Sequence, residues 1–248
     1  KIATFNIHDL LVVAFDHKAR MRAIGEVLTE LDPDIVGIQE AFIEADRAVL
    51  FEAIEGSRLQ YRQYFPSGIA GSGLLTLSAY PIREAFFHRY VQGGKWYKPY
   101  HGDWWGGKGV SLARIELPGG ACVDFFDTHA QASYWTRNEY LGIRKAQMRE
   151  LAAFVGASAT GAGPAFLVGD MNCRPGAPDF QIAVEQGKLK RVMAVETPID
   201  HIFRVENPRY RFETLDTRPI EGTVDLGGRQ SRLSDHTGYM STVRVTPQ

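Results

Sequence analysis

Residues 2–7 form an apolar run broken by no charged side chain, the pattern of a strand buried on both faces. Met21, Ile24, Leu28 and Leu31 then recur at the spacing of one helix face, and Pro33 stops that helix. A second short apolar run fills residues 35–40. Strand, helix and strand in so short a span predict a right-handed crossover and neighbouring strands in one sheet. Residues 59–87 read as strand-rich, with a run at 74–80 stopped by Pro81. Residues 110–117 and 123–128 flank Pro118-Gly119-Gly120, a hairpin signal. The longest helix expected is 138–155, with Leu141, Met148, Leu151 and Val155 on one face, followed by small residues and a strand at 165–168. Beyond it, strands are expected at 199–205, 210–215 and 240–245, with loops dominating between them. No repeat, low-complexity stretch or composition break interrupts the chain. The expectation is one domain over residues 1–248, of α/β class, with mixed sheet and helices between strands.

Composition narrows this picture. The 248 residues carry 28 Lys+Arg against 29 Asp+Glu, a formal charge of −1, which excludes a highly basic nucleic-acid coat and an acidic tail protein. At 44% hydrophobic and 23% charged, the chain is globular rather than disordered, collagenous or coiled. Two cysteines, Cys122 and Cys173, exclude a disulfide framework and a four-thiolate zinc site; two free, mostly buried thiols are expected ahead of a bridge. The longest compact apolar run, residues 10–15, ends at Asp16, well short of the roughly 18 residues of a membrane span. The chain opens at Lys1 without a signal-like segment, which leaves the mature start of an exported protein and a cut in a longer chain both open.

Candidate chemistry lies in short polar clusters at the ends of expected strands, where open α/β sheets place their ligand sites. They are Phe5-Asn6-Ile7, Gln39-Glu40, Asp127-Thr128-His129, Gly169-Asp170-Met171-Asn172, Ile199-Asp200-His201-Ile202-Phe203 and Ser234-Asp235-His236. Singly, each reads as a strand end, cap or turn. As an ordered set, they resemble the endonuclease/exonuclease/phosphatase superfamily, which includes deoxyribonuclease I, abasic-site endonucleases, inositol-phosphate 5-phosphatases and neutral sphingomyelinases. That resemblance implies a four-layer α/β/β/α sandwich of two mixed β-sheets, deoxyribonuclease I-like, and metal-dependent hydrolysis of a phosphoester.

The residue types agree with that chemistry. An anionic phosphodiester needs positive charge at its phosphoryl oxygens and an activated water. Glu40 and Asn6 are hard oxygen donors suited to Mg²⁺, with Mn²⁺, Co²⁺ or Ca²⁺ as other candidates and Asp235 as a further ligand. His236 is a candidate base or phosphate donor, its ring oriented by the adjacent Asp235. Asp170 and Asn172 would position water and bind a phosphoryl oxygen, His129 would donate to the phosphate, and Asp200 joins the catalytic set. Whether Asp170 or His236 takes the water's proton stays open at this stage.

Within the superfamily, residues 73–82, Gly107-Lys108-Gly109-Val110, Asp127 to Tyr134 and residues 140–151 look like the neutral sphingomyelinase branch. In that branch a Lys-Gly follows an aspartate by five positions in a loop near the phosphate, the spacing of Asp103 and Lys108 here. By resemblance, Lys108 would contact the phosphate and Asp103 would restrain or release it. All four tryptophans, Trp96, Trp104, Trp105 and Trp135, fall in the same stretch, joined by Tyr97, Tyr100 and Tyr134. Such rings favour a water–lipid interface, so Trp104, Trp105 and Tyr134 are expected to meet a phospholipid at a membrane surface; a packed flap closing the pocket is the plainer alternative. A nuclease needs a basic track, whereas Arg204, Arg209, Arg211, Arg218, Arg229 and Arg232 are interrupted by Glu206, Glu213, Asp216, Glu221 and Asp225. The expected function is therefore a Mg²⁺-dependent phosphodiesterase cleaving sphingomyelin to ceramide and phosphocholine. A nuclease or another phosphoesterase of the superfamily and an inactive lipid-binding module are the alternatives.

Overall fold

The uncharged N-terminal run is β1 (Ile2–Asp9), and it lies parallel to β2 (Ile35–Ala41), joined to it by α1 (His17–Leu31), so the expected neighbours are neighbours. The computed structural model describes residues 1–10, 16–95, 97–98, 105–134, 136 and 139–248. Helix α1 ends at Asp32, left-handed at φ 51°, with its N–H returned to the Leu28 carbonyl and Pro33 next in line. A helix not expected from periodicity follows, α2 (Glu44–Ala53); only Asp46 and Leu50 are buried along it, too thin a stripe to register as a helical face. Next come β3 (Tyr61–Tyr64), β4 (Leu75–Ser78), β5 (Ile82–Arg89), β6 (Gly109–Glu116) and β7 (Cys122–His129), the last two joined by the expected hairpin turn.

The long helix is α3 (Leu141–Ser158), shifted three residues from its expected end, and β8 (Ala165–Asp170) follows it. The stretch expected to be mostly loop is more ordered than that. It holds α4 (Pro178–Gln186), β9 (Leu189–Arg191), β10 (Asp200–Val205), β11 (Tyr210–Ile220), the β12 (Thr223–Asp225) and β13 (Gln230–Arg232) hairpin, and β14 (Gly238–Pro247). Strand β11 runs past a bulge at Thr214/Asp216 that breaks its alternation and hides its second half from a period-two search.

Among the described residues the strands form two six-stranded sheets, ordered β11-β14-β1-β2-β4-β3 and β5-β6-β7-β8-β10-β9. Each is mixed, with one parallel pair, β1/β2 in the first and β7/β8 in the second. Met21, Ile24 and Leu28 of α1 and Leu50 of α2 pack on Phe5, Val36 and Ile38 of the first sheet. On the second sheet, Met148, Leu151 and Val155 of α3 and Phe180 of α4 pack on Leu112, Phe126 and Leu167. Ile2, Ile35, Phe125, Phe166, Val168 and Ile202 fill the space between the sheets. The order of layers is therefore α/β/β/α, as the motif set implied.

Alternation along the strands determines what reaches that inner space. Inward positions run Ile2, Thr4, Asn6 on β1; Ile35, Gly37, Gln39 on β2; Val123, Phe125, Asp127, His129 on β7; and Phe166, Val168, Asp170 on β8. In each the series begins apolar and turns polar or small toward the strand's C-terminal end. The seam between the sheets is thus greasy at one end and polar at the other. At the change, Gly37 leaves room for the facing strand: a Cβ there would overlap a Val168 methyl and come 2.9 Å from the Asp127 carboxyl carbon. One expectation is corrected on this count. Cys173 is buried, but Cys122 is exposed, because it opens β7 beside the turn before the sheet's cover begins; both thiols are free.

Candidate active site at the seam between the sheets

The polar ends of both parallel pairs converge on one cluster. Asn6 of β1 donates through Nδ2 to Glu40 Oε1 at 3.0 Å and to Asp170 Oδ2 at 3.1 Å, and so joins the two sheets. Across the second sheet, His129 of β7 pairs in register with Asp170 of β8, and Asp170 with Asp200 of β10. His129 Nε2 stands 3.5 Å from Asp170 Oδ2 and 3.7 Å from Glu40 Oε1. Lys108, just ahead of β6, donates from Nζ to that same Nε2 at 2.9 Å and to the Ala130 carbonyl at 2.8 Å. The ring proton of His129 then resides on Nδ1. His236, just ahead of β14, donates from Nδ1 to Asp200 Oδ2 at 2.9 Å and turns Nε2 toward Asp170 Oδ2 at 3.8 Å.

Backbone conformation helps to aim these groups. Glu40, Asn172 and His8 have φ of 59°, 51° and 50°, a left-handed region that costs a non-glycine residue roughly 1–2 kcal/mol. All three stand at or just beyond the ends of strands that bear the cluster. Strain at such points marks places where side-chain direction matters more than local comfort. Asn172 uses its turn to place its own N–H on Asp170 Oδ1 at 2.9 Å and its Nδ2 on the Ala130 carbonyl at 3.1 Å. Beneath the cluster, Gln39 donates to Asp127 Oδ1 at 2.6 Å and accepts from Thr4 Oγ1 at 3.3 Å, a polar tie between the sheets.

Three carboxyl groups share this buried space. Burial is the main cause raising Glu40, while Lys108 and Asn6 oppose it. Burial and then Asp200 push Asp170 up to about 7, against the pull of His236 and Lys108. Asp200 is raised as well, chiefly by burial. Burial and the Lys108 charge hold His129 well below the usual histidine range, so its ring is neutral. For His236 burial lowers the value, but the hydrogen bond and charge of Asp200 outweigh it and the net result is about 9. Glu40 Oε2 and Asp200 Oδ1 are buried oxygens with no hydrogen-bond partner among the described residues. Crowded carboxyl groups with orphaned buried oxygens are the donor set a hard divalent cation requires.

The structure thus gathers Asn6, Glu40, Lys108, His129, Asp170, Asn172, Asp200 and His236 from the expected set. One expected role changes. Asp235 does not orient His236: its side chain is 58% exposed, accepts from the Ser234 hydroxyl at 3.3 Å and stands 3.7 Å from His8 Nδ1, while Asp200, brought in by the β8–β10 pairing, holds the ring. Asn6 Nδ2 donates to both the Glu40 and Asp170 carboxyl groups, and its Oδ1 accepts from the His8 N–H at 3.0 Å. Trp105 and Tyr134 are exposed, each at 42%. Asp103, Trp104, Trp96, Tyr100, Trp135 and residues 11–15 lie outside the described residues, and with them the proposed Asp103 switch. Gln39 and Asp127 carry no chemical role in the motif set; their shared inward parity with Asn6 and His129 is the sequence signal for the tie they form.

Comparison with known proteins agrees with this geometry. A putative neutral sphingomyelinase of Drosophila melanogaster is 35% identical over 189 residues, 76% of this chain and 42% of the relative. An inositol phosphosphingolipids phospholipase C of Schizosaccharomyces pombe is 28% identical over 222 residues, 89% of this chain and 51% of the relative. The chain therefore spans about half, or less, of the length of these relatives. Beta toxin of Staphylococcus aureus superposes with a TM-score of 0.77 at 19% identity, covering 97% of this chain and 98% of the toxin. A mutant form of that toxin with bound magnesium ions gives a TM-score of 0.74, again at 19% identity and with coverage of 97% and 98%. The sequence model of the Endonuclease/Exonuclease/phosphatase family matches residues 3–236, a span that takes in every residue of the cluster from Asn6 to His236, and the chain belongs to that family.

Proposed function

We propose that this protein hydrolyses the phosphodiester of a sphingolipid headgroup, with sphingomyelin as the leading substrate, ceramide and phosphocholine as products, and Mg²⁺ as the metal. The observation that carries the reading is the single buried cluster of Glu40, Asp170 and Asp200 with Lys108, His129 and His236, two of whose carboxylate oxygens are orphaned. The names of the relatives at 35% and 28% identity supply the substrate class.

Glu40, whose Oε2 is buried without a hydrogen-bond partner, would hold the cation. When bound, Mg²⁺ supplies Lewis acidity at the phosphoryl oxygens. The chain's own groups do the rest. Lys108 brings a buried positive charge into the cluster, and its hydrogen bonds to His129 and the Ala130 carbonyl help to fix where that charge sits. Asp200 keeps His236 as an imidazolium, which suits Nε2 to donate a hydrogen bond to a phosphoryl or departing oxygen rather than to act as base. Asp170, whose Oδ2 faces both His129 and His236, is then the better placed acceptor for the water's proton. Trp105 and Tyr134, both exposed, would provide amphipathic rings for contact with a lipid surface.

The test is one panel of sphingomyelin liposomes, inositol-phosphosphingolipid liposomes, supercoiled plasmid and inositol polyphosphates, each with Mg²⁺ and with chelator. Phosphocholine release that needs Mg²⁺ is the expected outcome. Plasmid nicking without headgroup release would sink the lipid reading.

A further inference from the structure

The cluster depends on two chain segments that do not share a complete ladder. Strand β1 pairs with β14 only from Ile2 to Thr4, with Thr4 opposite Tyr239. Beyond that point β1 kinks, its register with β2 shifts between Asn6 and Asp9, and His8 turns left-handed. Opposite it, the segment before β14 carries Leu233, Ser234, Asp235 and His236. Carbonyls on both segments thus face a gap where a sheet would have supplied N–H donors, and a buried carbonyl without one is costly.

Arg20 fills that gap. Its side chain comes from the first turn of α1 and is buried, at 4% exposure. Nη1 donates to the Ile7 carbonyl at 3.0 Å and to the Leu233 carbonyl at 2.8 Å, and Nη2 donates to the His8 carbonyl at 2.8 Å. Ser234 adds one further tie, from its hydroxyl to the Asn6 carbonyl at 2.7 Å. Burial lowers the guanidinium's pKa, and the charges of Asp9, Asp235, Asp46 and Asp16 oppose that effect, so a cation is sustained there. A planar fork with several fixed donors can reach three carbonyls on two strands at once, whereas an ammonium on a flexible stem holds them less rigidly.

We propose that Arg20 is a positioning residue for catalysis: it sets the spacing between the strand end that bears Asn6 and the segment that bears His236. The proposal rests on the reading of that cluster as the catalytic site. It differs from a purely structural role because Arg20 touches the very peptides on either side of the two site segments, and small displacements of a catalytic group cost rate before they cost fold.

The test measures kcat, KM and Tm with a water-soluble phosphodiester and Mg²⁺ for the unaltered chain, Arg20→Met, Arg20→Lys and, as a control, Arg114→Met. Arg114 is a partly buried arginine at the opposite end of β6, bonded to Glu84, Asp124 and the Ser158 carbonyl. Arg20→Met should lower kcat about 100-fold with KM changed by less than about threefold, and Arg20→Lys should recover part of that loss. Arg114→Met should lower Tm and leave kcat within about twofold. An Arg20→Met protein with normal kcat at temperatures well below its Tm overturns the proposal. If Arg20→Met does not fold, Arg20→Lys carries the measurement; failure of both to fold would assign Arg20 to folding and likewise overturn it. Absence of activity in the unaltered chain would show first, and would remove the catalytic reading itself.

Discussion

The most informative single change is Asp200→Asn, because it removes a charge and leaves the shape of the side chain. His236 is raised to about 9 although burial alone would lower it, and Asp200, 2.9 Å from Nδ1, is the largest cause on the raising side. Against an ordinary histidine near 6.5, that difference corresponds to roughly 3 kcal/mol in favour of the imidazolium in the folded state, for a side chain only 16% exposed. The sign follows from linkage. A group whose folded pKa is raised contributes stability that is fully present below its unfolded value and is lost as pH rises through the folded value. Metal-free protein should therefore lose up to about 3 kcal/mol of unfolding free energy from this group between about pH 6.5 and 9. In Asp200→Asn the same window should be nearly flat, and His236 should titrate near or below about 6.5, since burial is then opposed only by more distant carboxyl groups. Urea unfolding in chelator at several pH values, with imidazole proton shifts followed by NMR, reads both quantities. Equal pH dependence in the two proteins would refute the assignment of Asp200 as the group that charges His236.

Three further changes probe other parts of the structure. Glu40→Gln keeps the hydrogen bond from Asn6 but should weaken Mg²⁺ binding roughly 100-fold or more, measured by calorimetry alongside an unchanged circular dichroism spectrum; an unaltered metal titration would remove Glu40 from the ligand set. Gly169 sits at φ 140°, and a Cβ there would overlap the Thr128 carbonyl oxygen, so Gly169→Ala should cost about 3 kcal/mol or more of stability and separate His129 from Asp170. Gly119→Ala, at φ 94° but with open space around it, should cost only about 1 kcal/mol, and similar urea midpoints for the two would contradict the steric argument. A thiol reagent should label Cys122 alone in the native protein and both cysteines after denaturation, because Cys173 is buried and burial pushes its thiol pKa up.

Much of this architecture was readable from local pattern. The β1–α1–β2 unit stands out because its apolar runs and its Met21, Ile24, Leu28 face are long and uninterrupted. The cluster was readable for a related reason: Asn6, His129 and Asp170 each fall at the polar end of an alternating series. The parts that were not readable depend on contacts between distant segments. Helix α2 buries only Asp46 and Leu50, so its single helical face is set by what it packs on rather than by a stripe of its own. The partner of His236 looked like its neighbour Asp235, yet the ring is held by Asp200 through a strand pairing no local spacing encodes. Likewise, three carbonyl partners on two segments cannot be inferred for Arg20 from the helix in which it lies.

The central place of β1 has a consequence for how the molecule is made. One of its edges is covered early, by β2, whereas the other waits for β14, and the Ser234–Asn6 bond closes a loop of 228 positions. On the ribosome, an apolar strand with one open edge must persist until the β14 segment has emerged, a state prone to wrong pairing between nascent copies. His236 and Asn6 can meet only when that edge is finally covered. Assembly of the buried cluster should therefore follow the docking of both helical layers and should report completion of the first sheet more faithfully than helix content does.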